Sequence, residues 1–120
     1  MRILFVLPDL PHPPFTGAHA RPLTLLRAAA RKHEVAVVGA APADADLGVL
    51  RELCSEVRVA PVGGARPAPR RAATAGRRLV TPVPLVSAGR ARSVAGLVDE
   101  LAASWRPEAL VVETLHAAHY

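Results

Sequence analysis

Met1-Arg2-Ile3-Leu4-Phe5-Val6-Leu7-Pro8 opens the chain, and Glu34-Val35-Ala36-Val37-Val38-Gly39 follows one helix-length later. Neither run shows the polar alternation of a strand with one wet face, so each reads as a strand buried on both sides. Such strands belong to parallel sheets, whose two faces must both be covered by helices. The segment between them fits that demand. A loop carrying Pro8, Pro11, Pro13 and Pro14 leads into residues 18–31, where Leu23, Leu26 and Ala30 share one helical face and Arg27 and Arg31 share another.

The same alternation continues outward. Residues 44–54 read as a helix with Leu47, Leu50 and Cys54 inward, and 57–62 as a third strand with its core at 57–60. Residues 92–105 form an amphipathic pattern with Val94, Leu97, Val98 and Leu101 inward and Trp105 as a packing anchor. Residues 109–112 are the final strand, and 115–120 open another helix. The expected fold is α/β: a Rossmann-like three-layer sandwich around a parallel sheet. Residues 80–86 are apolar but broken by Pro82 and Pro84, which excludes a central strand.

Composition sets bounds on this domain. The 120 residues suffice for one domain, and 51% are hydrophobic. Twenty-four of those are Ala and four are aromatic, so the core is expected to be thin, the chain marginally stable, and the domain part of something larger. The formal charge is +5, and every basic residue except Lys32 is Arg. Cys54 stands alone, which rules out an internal disulfide framework and a multi-Cys zinc site and fits a reducing cytoplasm. Pro8 and Asp9 end the first apolar run far short of a signal peptide or membrane span. Residues 63–78 hold Gly, Pro, Ala and five arginines with no large apolar residue, and read as a mobile loop or linker. Arg66, Arg70, Arg71, Arg77 and Arg78 could engage an anionic membrane surface, placing a cytoplasmic protein peripherally at the inner face. Nucleic acid is disfavoured, because no aromatic side chain is interleaved for base stacking.

In open parallel sheets, ligands bind beyond the carboxyl ends of the strands. Two segments occupy that position. In the first, Thr16, Gly17 and Ala18 precede or open a helix whose N–H groups could meet a phosphate, and Arg21 could add a bidentate donor. The three-glycine dinucleotide fingerprint and the P-loop are both absent, which disfavours NAD, FAD and a Walker-type ATP site. In the second, Glu113, His116 and His119 recur at i, i+3 and i+6, the spacing of a general acid/base cluster. They fall short of a complete ligand set, so no metal is expected. His12, His19 and His33 read as solvated histidines of loops and helix ends.

These residues together resemble a known family. Met1 to Pro8, then Pro13-Pro14, Thr16-Gly17, and the run from Arg21-Pro22-Leu23 through Leu25-Leu26-Arg27-Ala28 to His33-Glu34-Val35 are similar to the opening of family 4 glycosyltransferases. Ala109-Leu110-Val111-Val112-Glu113, with Ala117-Ala118 and Tyr120, is similar to their fourth-strand segment. Ala18 stands where the family often carries a second glycine. The resemblance implies the acceptor-side, N-terminal half of a GT-B architecture, here incomplete, with the C-terminal donor-binding domain absent. It implies a hexosyltransferase acting on a nucleotide-diphosphate sugar as donor substrate, without a further cofactor, and on a sugar or lipid-linked acceptor. Thr16, Gly17, Ala18 and Arg21 would lie near the donor phosphates, and Glu113 and His116 near the acceptor or the transferred sugar. No residue is assigned as the catalytic base, and the 120 residues alone are expected to be inactive. The alternative reading is a stand-alone, non-catalytic Rossmann-like binding module.

Overall fold

The computed structural model describes residues 1–62 and 88–113. The Arg-rich segment 63–78, the apolar stretch 80–86, the helix expected at 115–120, and His116 and His119 lie outside the described residues. Seven elements follow in order: β1 (Arg2–Leu7), α1 (Gly17–Ala30), β2 (Glu34–Pro42), α2 (Gly48–Leu53), β3 (Glu56–Val62), α3 (Ala88–Ser104) and β4 (Ala109–Val112). The four strands form one parallel sheet in the order β3-β2-β1-β4.

Alternate side chains of the sheet feed two cores. Ile3, Phe5 and Leu7 of β1, with Val35 and Val37 of β2, pack with Leu23 and Leu26 of α1 and Leu47, Leu50 and Cys54 around α2. On the other face, Leu4, Val6, Ala36, Val38 and Ala60 pack with Val94 and Leu101 of α3, and Trp105 rests against this cluster. The chain steps from β1 to β3 in one direction with its helices on one face. It then reverses to reach β4, and α3 lies on the opposite face, as right-handed crossovers require. Cys54 is buried as a small hydrophobe.

Three boundaries depart from the sequence reading, and one of them is the end of β2, which runs on to Pro42, three residues past Gly39. The second helix starts at Gly48 rather than at residue 44, because Ala45 turns back onto the Pro42 carbonyl and Asp46 Oδ1 accepts the Gly48 N–H at 2.9 Å. A short acidic side chain that captures a nearby N–H favours a turn over another helical turn. The third helix starts at Ala88, four residues before the expected 92.

The amino-terminal edge of the sheet is tied together by one residue. The Arg2 guanidinium donates to the Trp105 carbonyl at 2.8 Å, just beyond α3, where a cation also suits the helix dipole. The Arg2 N–H donates to Glu108 Oε2, and the Glu108 N–H donates to the Arg2 carbonyl, both at 2.8 Å. Among the described residues, no helix is long and apolar enough to cross a membrane.

Candidate functional site at the strand reversal

Sheet order places the reversal between β1 and β4, the position beyond whose carboxyl ends open parallel sheets bind their ligands. The loop after β1 leans the other way, over β2: the Leu10 N–H donates to the Ala40 carbonyl at 2.7 Å and Leu10 is fully buried. Gly39 makes this possible. A Cβ there would run into the Leu7 carbonyl oxygen and the Leu10 side chain.

The expected phosphate-facing residues sit at the start of α1. Thr16 is its N-cap, in extended conformation at φ −105° and ψ 170°. Gly17 and Ala18 begin the helix and are exposed, and a Cβ built on Gly17 would meet nothing within 4 Å among the described residues beyond its own helix turn. Arg21 lies one turn on. Its Nε is 3.5 Å from Oε1 of Glu113, whose own N–H donates to the Val6 carbonyl at 3.1 Å. The structure therefore joins two residues that the sequence assigned to separate loops. Glu113 is buried, 8% exposed, so the exposed Arg21 meets it at the carboxyl end of the sheet.

One expectation is overturned. His19 was expected to be solvated, yet it is 3% exposed. Its Nδ1 accepts the Thr16 N–H at 3.3 Å, which leaves the ring proton on Nε2, 3.1 Å from Asp9 Oδ2. The helix start and the β1 loop are thereby closed onto each other, and that closure excludes water from the ring. His12 stacks obliquely on His19 at 5.3 Å between centroids, and Phe15 approaches it edge-on at 6.4 Å. His12 and His33 are partly exposed, and among the described residues Nδ1 of His33 is buried without a hydrogen-bond partner. Asp9, His12 and His19 each bring one ligand-capable atom within 4.8 Å of the others. The overlooked signal was the spacing of Thr16 and His19, cap and third helical position, where a side chain can reach back to the cap backbone.

Compared with protein-family models, curated proteins and solved structures, the chain matches none.

Proposed function

We propose that this chain is the acceptor-side domain of a glycosyltransferase that moves a sugar from a nucleotide-diphosphate donor. The observation that carries the reading is the convergence of Gly17, Arg21 and Glu113 at the strand reversal. Open space over Gly17 lets a diphosphate approach the first N–H groups of α1, where the helix dipole favours an anion. Arg21 is mostly exposed and can turn to a phosphate at little cost, offsetting charge that grows on the leaving group. Glu113 offers its carboxylate to hydroxyls of the acceptor or the transferred sugar. The similarity of the opening residues to family 4 enzymes supports the same assignment. In such an enzyme a second Rossmann-like domain carries most of the nucleotide contacts, and the cleft between the two excludes water.

The test uses the complete reading frame with a panel of nucleotide sugars. A Cβ on Gly17 meets open space among the described residues, so Gly17→Val should fold normally, which circular dichroism checks. Transfer should nevertheless drop by about tenfold or more, because the side chain fills the space beside the phosphates. A folded Gly17→Val enzyme with unchanged transfer overturns the phosphate assignment.

A further inference from the structure

We propose that Asp9, His12 and His19 form a binding site for a divalent cation of the Zn²⁺ class at the carboxyl-terminal mouth of β1. The three side chains come from the loop after β1 and the first turn of α1, and their ligand atoms lie within 4.8 Å of one another. A four-coordinate ion with bonds of about 2.0–2.2 Å spaces its ligands roughly 3.3 Å apart. His19 Nε2 and Asp9 Oδ2, 3.1 Å apart, are already at that spacing. His12 lies within 4.8 Å of both, so the set closes once its ring moves inward by no more than about 1.5 Å, a modest movement for a half-buried loop side chain.

Two imidazoles and one carboxylate suit Zn²⁺ and its neighbours, whereas Mg²⁺ and Ca²⁺ favour oxygen ligands throughout. The exposures also divide usefully. His19 is held inside the fold, while the Asp9 side chain is 53% exposed. Three protein ligands with one side open leave a coordination position for water or an oxyanion.

Binding requires one proton to move. In the structure the His19 proton is on Nε2, because Nδ1 accepts the Thr16 N–H. Coordination takes the Nε2 lone pair, so the ring changes tautomer and carries its proton on Nδ1, with no net release. The Thr16 N–H then loses its acceptor. That contact, at 3.3 Å, is long for a hydrogen bond, and it is the one the metal must displace. Metal binding is therefore linked to the cap of α1.

The experiment titrates the full 120-residue chain with Zn²⁺ by calorimetry and with Co²⁺ by visible absorption, and follows backbone amides by NMR. One ion per chain is expected, with ligand-field bands from Co²⁺ and a displaced Thr16 amide resonance. His12→Ala and Asp9→Asn change solvent-side ligands and should weaken binding about tenfold or more each, while His33→Ala leaves it unchanged. Circular dichroism confirms that each variant is folded. The proposal is overturned if the chain binds no Zn²⁺ at 100-micromolar order, if His12→Ala and Asp9→Asn bind like the parent, or if the Thr16 amide does not move.

Discussion

Arg21 Nε stands 3.5 Å from Glu113 Oε1, which links the first helix to the end of the last strand across the sheet's reversal. The partners are unequal, since the Arg21 side chain is 81% exposed and that of Glu113 is 10% exposed. Water screens the exposed partner and leaves it conformational freedom, so such a pair contributes about 0–1 kcal/mol. Arg21→Ala should therefore cost less than about 1 kcal/mol in urea denaturation, and a double-mutant cycle with Glu113→Gln should return a coupling of the same small size. A coupling above about 2 kcal/mol would show that the arginine is desolvated in solution.

Two glycines, Gly39 and Gly17, should respond in opposite ways. Gly39→Ala places a methyl group against the Leu7 carbonyl and Leu10, and should destabilise by about 1–3 kcal/mol. Gly17→Ala meets open space at the start of α1 and should stay within about 0.5 kcal/mol of the parent. Thermal or chemical denaturation of the pair is sufficient. Equal losses would mean that Leu10 does not close over β2.

Arg106 ends the third helix with φ at 50°, a left-handed conformation that favours glycine. Its N–H still reaches the Leu101 carbonyl at 3.2 Å, so the turn is well formed and only the side chain is out of place. Arg106→Gly should stabilise the fold by roughly 0.5–1 kcal/mol, read as a higher urea midpoint at constant slope. A destabilised variant would show that the arginine side chain makes a stronger contribution than its backbone costs.

Burial pushes the Cys54 thiol up from 9.0 to about 11. The folded state then keeps its proton at a pH where the unfolded chain has lost it. The resulting stability is fully present below pH 9 and is lost as pH rises from 9 toward 11. The difference in unfolding free energy between the parent and Cys54→Ala should be flat below pH 9 and shift against the parent above it. Alkylation of the native thiol at pH 8 should be far slower than in urea. Rapid native alkylation would contradict the burial.

The two inner strands were legible because burial on both faces leaves an unmixed apolar signature, in Ile3 to Leu7 and Val35 to Val38, whereas the edge strands β3 and β4 are only partly buried and were read from their place in the alternation. Helix limits were less so. Asp44 and Asp46 look like the acidic first turn of a helix, and only the folded chain shows Asp46 taking the Gly48 N–H for a turn instead. For the site, Arg21 and Glu113 could each be placed at a strand mouth. Their pairing could not, since it depends on which strand lies beside β1, and that is a matter of sheet order. His19 was misread for a related reason: Asp9, ten residues earlier, covers it only after the proline-rich loop folds back.

The sheet order has a consequence for how the chain reaches its fold. β1 is an inner strand that precedes the other three in the chain, yet one of its two neighbours is β4, and the Arg2–Glu108 hydrogen bond spans 106 residues. β1, β2 and β3 can assemble in the order they emerge, each closing a loop of moderate length. The opposite edge of β1 stays bare until residues 109–112 arrive, and that closure must be met before its contacts stabilise anything. The nascent domain therefore passes through a stage with the apolar β1 as an open edge strand, which is when it is most exposed to pairing with the wrong chain.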